Sequence, residues 1–525
     1  MEIELKFTLS SANVNTAKQA ISNAPYHVNS KTTLTLSNAY YDTTDNQLRE
    51  WDFGLRTRTT TTEDGQTAAE QTIKLSGADV GGLQQRPEYT VEIPLGDSGA
   101  AFANLALFSP SIFPSDFQLE PINKHLHKVF ETTFERQVWD IELNNGALIE
   151  CVLDQGSVEA EFEDELKTEA ICEIEFELKQ GSIQDLFEVA FYLINKVPTK
   201  LGLLSKAARG YHLAQGKKLI AINLESIEYS GKALLEPEMI KIFGYAIEFI
   251  QHNELVFEQD KKTKSYRRIM DGISLIIQTL ELFKPYLPET RCQYFIDKFM
   301  RLRKQARWIE PFYQFEKLNS RKSPYRKDIE NSESLLALFS QRRMPEEKIE
   351  EALLEFTSKE FNQIFLSFTQ WLSLKGWRNE MSLTNVSNLT MPIKPIAEQW
   401  LDNAWIELKS KIKSLDLNSE LRELEKVYWS LAAGLLTGVA ISGLYPGDNR
   451  LAFRSHLLNL MQGVEEGILL HKLQKLLDEE SVNIDSSIKQ EDLASNLKWI
   501  KAKKNSLNMA VTASIEAVLK LKPYW

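Results

Sequence analysis

The sequence predicts an α+β multidomain protein, with an N-terminal antiparallel β-barrel of eight strands followed by a C-terminal all-α helical bundle. Up to about residue 215, apolar residues alternate mostly with a period of two, as in half-buried strands. From about residue 236 almost to the end, they recur with a period of 3.6, as in amphipathic helices. Residues 216–235 interrupt both patterns and are predicted to be a linker. The predicted domains are therefore residues 1–215 and 236–525.

The strand prediction rests on eight alternating segments in the N-terminal part. Turn-forming residues separate several of them, and Asn144-Asn145-Gly146 is typical of a tight hairpin. Many antiparallel strands with few helices favour a closed or nearly closed barrel, because closure removes exposed edges. A helical period intrudes only at residues 13–23 and 183–195. The predicted strands are residues 2–9, 32–41, 52–60, 69–75, 87–94, 128–143, 147–158 and 170–178.

The helical prediction rests on long segments with apolar residues on one side. Prolines such as Pro288, Pro345 and Pro446 lie at plausible helix boundaries, where a missing N–H is tolerated. Stacked antiparallel helices are the expected arrangement. The predicted helices are residues 237–259, 263–286, 289–315, 346–374, 393–415, 420–444, 450–477 and 489–521.

Composition excludes some classes of protein. The net charge of −12 over 525 residues argues against a general nucleic-acid or membrane-surface binder. The three cysteines are too far apart for zinc-ligand spacing, and such a sparse set suggests a reducing compartment. No signal-peptide pattern and no apolar run of membrane-spanning length is evident. We therefore expect a cytoplasmic protein with no nucleic-acid and no membrane partner.

The first strand carries the first functional signal. Its alternation points Glu2, Glu4 and Lys6 at one face and Ile3 and Leu5 at the other. Two carboxylates can hold a hard divalent cation, and a lysine can meet a phosphate that the cation also binds. Similar charged faces recur along the later segments, at Arg56, Arg58, Lys74, Glu88, Arg136, Asp154, Glu173, Glu175, Glu177, Lys179 and Lys206.

Two interpretations of these charged faces are open from the residues alone. In one, they are solvated, and the opposite apolar face, with residues such as Leu5, Leu55 and Phe176, packs as the core. In the other, they line the interior of a wide barrel. Acids and bases in such an interior neutralise one another only in part, so an anionic ligand with metal ions would complete the charge balance.

Taken in order, these motifs resemble the CYTH superfamily, the triphosphate tunnel metalloenzymes. The similarity spans roughly residues 1–213, from Glu2-Ile3-Glu4-Leu5-Lys6 to Ser205-Lys206-Ala207-Ala208-Arg209-Gly210-Tyr211. The second acidic strand, residues 173–179, is part of the same set. The resemblance implies an eight-stranded antiparallel tunnel that binds a triphosphate together with Mg²⁺ or Mn²⁺.

The resemblance and the side-chain chemistry together suggest roles for individual residues. A triphosphate needs several fixed cations, and one or two divalent ions need carboxylates. The expected catalytic residues are Glu2, Glu4 and Lys6. The expected substrate-binding residues are Lys6, Arg56, Arg58, Lys74, Arg136 and Lys206. The expected metal ligands are Glu2, Glu4, Asp154, Glu175 and Glu177. Glu88 and Lys179 are expected to orient these groups, and Glu173 and Lys179 flank the acidic strand, either at its rim or in the site.

The helical half resembles a CHAD domain, and the CYTH-then-CHAD order resembles bacterial inorganic triphosphatases. The similar stretches include Gly376-Trp377-Arg378, and Phe453-Arg454 followed by residues 460–466. The region 265–270 departs from the family pattern because it has no histidine. Basic residues cluster between Lys261 and Arg343. They form either a solvated helix surface or a groove that binds polyphosphate.

The function that we expect is metal-dependent hydrolysis of inorganic triphosphate (tripolyphosphate) to pyrophosphate and phosphate in the barrel, with a helical domain that binds polyphosphate. The alternatives are a non-catalytic polyphosphate- or nucleotide-binding protein, and another triphosphate enzyme such as an adenylate cyclase or a thiamine triphosphatase. Nucleotide or thiamine recognition would require aromatic stacking at the barrel mouth, for which Tyr40, Tyr41, Trp51 and Phe53 are candidates, although packing is the simpler role.

Overall fold

The computed structural model describes residues 1–96, 99–229, 232–482 and 490–525. Residues 97–98, 230–231 and 483–489, which include parts of the predicted domains, of the linker and of the last predicted helix, lie outside the described residues. The chain forms two compact units. We call residues 1–220 with 352–376 the barrel unit, and residues 221–351 with 377–525 the helical unit. Residues 352–376 thus pack with the barrel unit, although the predicted boundary assigns them to the helical domain.

The α+β class is confirmed by the elements themselves. The barrel unit contains most of the strands, several of them longer than predicted. They are β1 (Glu2–Thr8), β2 (His27–Asp42), β3 (Gly54–Thr62), β4 (Thr67–Lys74), β5 (Ala78–Val80), β6 (Leu83–Arg86), β7 (Glu88–Glu92), β8 (Leu95–Gly96), β9 (Gly99–Ala100), β10 (His127–Glu142), β11 (Leu148–Phe162), β12 (Glu165–Gln180) and β13 (Lys200–Leu201).

The large sheet closes into a ring of eight long strands. Its order is β5-β6-β1-β12-β11-β10-β2-β3-β4-β7, and all the pairs are antiparallel. Only Pro87 separates β6 from β7, so residues 83–92 are one strand that pairs with β1 at one end and with β4 at the other. The hairpin before this strand turns at Gly81 and Gly82, which both have positive φ. The predicted eight-stranded antiparallel barrel is confirmed.

The strand registers place charged residues on the inner face of this ring and apolar residues on the outer face. Lys6 pairs with Glu175, Arg136 with Asp154, and Lys74 with Glu88, so paired residues share a face. The opposite face packs outward: one apolar cluster joins Leu55 and Ile73 to residues from 103–126. Among the predicted stacking candidates, Tyr41 and Phe53 lie in that outer cluster and Trp51 packs against it, whereas Tyr40 faces inward. The structure therefore favours the charged-interior interpretation.

One end of the interior is filled by a short helix, α5 (Lys206–Ala214). Tyr211 of this helix packs with Phe130, Phe134 and other inward-facing apolar residues. Gly210 is needed for the close approach, because a Cβ there would lie 2.1 Å from the Phe130 ring. Lys206 had been grouped with the charged strand faces, and this grouping is wrong: it begins α5. The helix still directs its ammonium group into the interior, where it lies above the Phe134 ring.

The remaining helices of the barrel unit cover its outer surface. Helix α4 contacts β1 and β12, and α13 packs on α4. Asn362 of α13 donates a hydrogen bond to the carbonyl oxygen of Thr199 at 2.8 Å. The helices are α1 (Val14–Ser22), α2 (Gln47–Glu50), α3 (Leu119–Lys124), α4 (Ile183–Ile194), α5 and α13 (Lys359–Ser373), with α12 (Glu346–Phe356) running from the helical unit into this one.

The helical unit is an all-α bundle in its described residues, apart from one isolated β-bridge. The predicted helix 289–315 is two helices joined by a 3₁₀ turn, and the predicted helix 346–374 is also two. None of the described helices is both long enough and apolar enough to span a membrane. The helices are α6 (Leu235–Asp260), α7 (Thr263–Phe283), α8 (Glu289–Gln305), α9 (Ile309–Leu318), α10 (Arg326–Glu330), α11 (Glu333–Ser340), α14 (Leu383–Asn388), α15 (Lys394–Ile412), α16 (Leu421–Ala440), α17 (Asp448–Val482) and α18 (Gln490–Leu519).

Candidate active site in the barrel interior

The charged interior divides into three groups of side chains. We call Asp154, Glu173 and Glu175, which lie nearest to α5, the inner acid cluster. We call Glu2, Glu4 and Glu177, which lie further along β1 and β12, the outer acid cluster. We call Arg56, Arg58 and Arg136, on β3 and β10, the arginine group. Each acid cluster is built by two paired strands, because residues of like parity on paired antiparallel strands lie side by side, whereas the arginine group comes from the two strands that flank β2.

The inner acid cluster is held by several buried cations. Arg136 makes a bidentate contact with Asp154, with both nitrogen–oxygen distances 2.7 Å. The Nζ atom of Lys206 lies 2.7 Å from Asp154 and 3.0 Å from Glu175, and it also contacts Glu173. The Nζ atom of Lys6 lies 2.9 Å from Glu175. The carboxylates of this cluster are therefore already paired.

The pKa values of this cluster reflect that pairing. Burial raises the pKa of Glu175, but Lys206, Lys6 and Arg136 outweigh it and bring this pKa well below its usual range. Burial likewise opposes ionisation of Asp154, and Arg136 and Lys206 lower its pKa overall. Both carboxyl groups are charged at neutral pH, and their charge is balanced within the protein.

The outer acid cluster has fewer cationic partners. Glu4 pairs in register with Glu177, which places their side chains next to each other. Lys74 lies 2.5 Å from Glu2, and Lys179 lies 2.8 Å from Glu177. Burial is the main cause that raises the pKa of Glu2, Glu4 and Glu177, and the neighbouring carboxylates add to it. These acids therefore resist ionisation unless a further cation joins them.

Within the arginine group, Arg58 has the opposite imbalance. Arg58 donates to Asn38 at 2.7 Å, and its nearest carboxylate, Glu70, lies 3.4 Å away. Arg56 lies 3.5 Å from Glu88. Burial and the guanidinium groups of Arg56 and Arg136 lower the pKa of Arg58. Crowded cations of this kind become more stable when an anion binds between them.

The structure brings the predicted site residues together on the inner face of the barrel. Glu88 contacts Arg56 and lies 3.7 Å from Lys74. Lys179 bridges Glu177 and Glu150, at 2.8 and 3.2 Å. The sequence is compatible with Glu173 either at the rim or in the site, and in the structure its side chain is fully buried in the inner acid cluster.

Two further residues belong to the site: Asn38, for which the sequence predicts no role, and Tyr40, which it offers only as a stacking candidate. Asn38 is 1% exposed, accepts from Arg58, and donates to the Thr132 hydroxyl at 2.9 Å. Tyr40 faces the same arginines, and although burial opposes ionisation, Arg56 and Arg58 lower its pKa overall. Both residues alternate with apolar neighbours on β2, a signal that could have suggested an inward direction.

The carboxylates fit a divalent cation on chemical grounds. The only group of three or more potential metal-ligating side chains found within 4.8 Å of one another in the described ranges is Asp154, Glu173 and Glu175. Lysine and arginine side chains already occupy that group. The outer acid cluster offers oxygen ligands whose raised pKa values would fall when a cation binds. The outer cluster is thus the better site for the metal, with Glu175 adjacent to it.

Comparison with known proteins gives the class of this unit. Residues 1–211, which are less than half of the chain, match the family model of the CYTH domain. An inorganic triphosphatase of Haemophilus influenzae is 34% identical over 213 residues, which is 40% of this chain. The match covers 54% of that relative, so the chain spans about half the length of the curated protein it matches.

Solved structures resemble each half of the chain. The CHAD domain of Ricinus communis is similar over 57% of this chain and 97% of that chain, with 14% identity and a TM-score of 0.41. A Hippeastrum protein, described as an adenylyl cyclase candidate with a dominant triphosphatase activity, is similar over 42% of this chain and 98% of that chain. Its identity is 18% and its TM-score 0.28.

Proposed function

We propose that the barrel unit hydrolyses inorganic triphosphate to pyrophosphate and phosphate with the aid of Mg²⁺ or Mn²⁺. The observation that carries this proposal is the separation of charge inside the barrel. Among the described residues, Arg58 has no carboxylate nearer than Glu70 at 3.4 Å and its pKa is lowered, whereas the outer acid cluster has few cationic partners and the pKa of Glu4 is raised. A polyanion that carries a divalent cation would satisfy both groups at once.

The side chains have distinct tasks in this reaction. Arg56, Arg58 and Arg136 bind phosphate oxygens as bidentate donors, while Lys6, Lys74 and Lys206 supply point charges. Glu2, Glu4 and Glu177, with Glu175 beside them, would hold the metal, and Asp154 holds Arg136 and Lys206 in place. The bound ion would supply Lewis acidity to the phosphate oxygens and the attacking water. Phosphoryl transfer needs mainly positioning and charge neutralisation, which these groups provide.

The aromatic residues favour an inorganic substrate over a nucleotide or thiamine triphosphate. Phe53 is buried in the outer apolar cluster and Trp51 packs against it, so neither is available for stacking in the interior. Tyr40 faces inward, but it is buried and stacks on Phe130. This arrangement supports a site that recognises phosphate groups alone.

The test is release of orthophosphate from tripolyphosphate by the full chain in the presence of Mg²⁺. We expect hydrolysis that EDTA abolishes and that the Glu4→Gln variant lacks. The matched control is Glu165→Gln, on the same strand as Glu177 but with its side chain 71% exposed. Full activity in EDTA or in Glu4→Gln would contradict the metal site. Tight binding of tripolyphosphate without turnover would favour a receptor, and preference for ATP or thiamine triphosphate would favour those activities.

For the helical unit we propose that the basic residues of α8 and the turn after it bind polyphosphate, as CHAD resemblance implies. Arg303 lies over the Trp429 ring at 5.4 Å, and burial together with the nearby Arg307 lowers its pKa. An anion would relieve that crowding. By contrast, Arg267 is bound to Asp271 and Glu310 and is not available. Reversing the charge of Arg303 and Arg307 should abolish a salt-sensitive affinity for long-chain polyphosphate; unchanged affinity would refute this groove.

A further inference from the structure

A small cavity in the helical unit contains two arginines on one face of α17. Arg450 and Arg454 are separated by one helical turn, so their side chains lie on the same side. The cavity has a volume of about 30 Å³ and lies against α15, α16 and residues 524–525. Arg450 is only 6% exposed. Aromatic side chains complete the lining, namely Trp405, Phe453, Tyr524 and Trp525.

Only uncharged oxygens accept hydrogen bonds from these arginines in the described part of the chain. The Nε atom of Arg450 donates to the carbonyl of Tyr445 at 3.0 Å, and its Nη2 atom donates to the Ser226 hydroxyl. The Nη1 atom of Arg454 donates to the carbonyl of Leu435 at 3.2 Å. No carboxylate of the described residues lies within salt-bridge distance of either guanidinium.

This lack of a counterion is costly. An arginine cannot shed its proton as a lysine can, and a buried cation without a partner costs several kcal/mol. Burial, followed by the neighbouring Arg450, lowers the pKa of Arg454. Other largely buried arginines of this chain form ion pairs with carboxylates: Arg136 pairs with Asp154, and Arg267 pairs with Asp271 and Glu310. The described residues therefore supply no anion for the two arginines of α17.

We propose that this cavity binds a compact tetrahedral oxyanion of the phosphate type, held by Arg450, Arg454 and the Tyr524 hydroxyl. Guanidinium groups match two oxygens of such an anion at once, and the phenol adds a third donor. Free orthophosphate and the terminal group of a longer phosphate chain share this chemistry. The site does not depend on the activity proposed for the barrel.

The first test separates this site from the barrel. In the full chain with Arg56→Gln and Arg58→Gln, calorimetric titration with orthophosphate at constant ionic strength should show binding. Adding Arg454→Gln should weaken that binding at least tenfold, whereas Arg326→Gln, at an exposed arginine paired with Glu330, should not. Binding of tripolyphosphate but not of orthophosphate would identify a chain end as the ligand. The proposal would be overturned if chloride gave the same binding signal as phosphate. It would also be overturned if Arg454→Gln bound phosphate as tightly as its parent.

The second test remains informative if affinity is low. In phosphate-free buffer, Arg454→Gln should melt at the same temperature as its parent or higher, because it removes a half-buried charge that has no carboxylate partner among the described residues and lies next to Arg450. At saturating phosphate, the parent should melt higher than the variant. Arg454→Lys, which keeps the charge but loses the fork, should fall between them in phosphate. The same loss of melting temperature in both buffers would show that Arg454 is only a packing and hydrogen-bonding residue, and would overturn the proposal.

Discussion

The inner and outer acid clusters share strand β12, and each is completed by a strand paired with it, β11 for the inner cluster and β1 for the outer one, yet their charges are balanced in different ways. The inner carboxylates contact Arg136, Lys6 and Lys206 at hydrogen-bond distance. The outer carboxylates have raised pKa values and mainly Lys74 and Lys179 as partners. Both sets are buried acids in one barrel, so burial alone does not distinguish a structural carboxylate from a ligand-binding one. The difference lies in whether the protein itself provides the cations.

The largest expected effect is a loss of protein stability when an acid of the inner cluster is replaced. Asp154→Asn would leave Arg136 and Lys206 without their principal anion, so we expect the free energy of unfolding to fall by about 3–5 kcal/mol. Chemical denaturation followed by circular dichroism measures this. The exposed Glu165→Gln provides the control and should change little. A fully stable Asp154→Asn protein would mean that the inner cluster is not the structural member of the pair.

The next effect concerns the outer cluster and the metal. At a Mg²⁺ concentration about 100-fold above its Kd, the wild-type chain should gain about 2.7 kcal/mol of stability. Glu4→Gln should gain much less, because one oxygen ligand is lost. Melting curves with and without Mg²⁺ measure the difference. If Asp154→Asn, rather than Glu4→Gln, removed the response to Mg²⁺, the roles of the two clusters would be reversed.

A smaller effect, on kcat/KM, is expected from removing the hydrogen bond by which Asn38 positions Arg58 of the arginine group. Asn38→Ala removes the acceptor for Arg58 Nε, a hydrogen bond to a charged group. Such a bond is worth about 1.5–3 kcal/mol, so kcat/KM for tripolyphosphate should fall by roughly 10- to 100-fold. Arg58 retains its charge, and a Thr132→Val control preserves the contact between Asn38 and Arg58. An unchanged kcat/KM would show that Arg58 is positioned without Asn38.

The smallest expected effect is a pH dependence of stability in the absence of metal. The folded state raises the pKa of Glu2 and Glu4 above their usual value. Their contribution is therefore fully present below the unfolded pKa and is lost as pH rises through the folded pKa. Because of these two carboxyl groups, the free energy of unfolding of the metal-free protein should fall as the pH rises above about 4.5. Glu4→Gln should make this fall with pH less steep. An identical slope in the variant would contradict the raised pKa.

Much of the fold could be predicted from the spacing of apolar residues, and the charged faces of the strands indicated a barrel interior. The eight strands and their parity were predictable because period two fixes which residues share a face. The helix boundaries at Ala306–Trp308 and at 357–358 were not, because apolar spacing continues across both breaks. The charged faces could be assigned to the interior only by weighing the charge pattern together with a family resemblance, since either face of these strands could have formed a core.

The sequence does not predict which of the buried acids pair with the protein's own cations and which are left with few cationic partners. Glu173, Glu175 and Glu177 alternate identically along β12, and the sequence gives no reason to separate them. Their difference arises from neighbours that are distant in the chain: Lys206 comes from α5, and Glu4 comes from β1. The arginine pair of α17 is a similar case. Its lack of a carboxylate partner is a property of packing and cannot be seen in the local sequence.

The pairing of β1 fixes when the barrel can be completed during synthesis. Its partners are residues 83–86, residues 173–177 and residues 200–201, so the first strand to leave the ribosome must wait for the last ones. Contacts of such long sequence separation form slowly. Until then Glu2 and Glu4 lie on an unpaired, exposed segment. The carboxylates proposed to bind the metal are thus made well before the strands that bring them to their final positions.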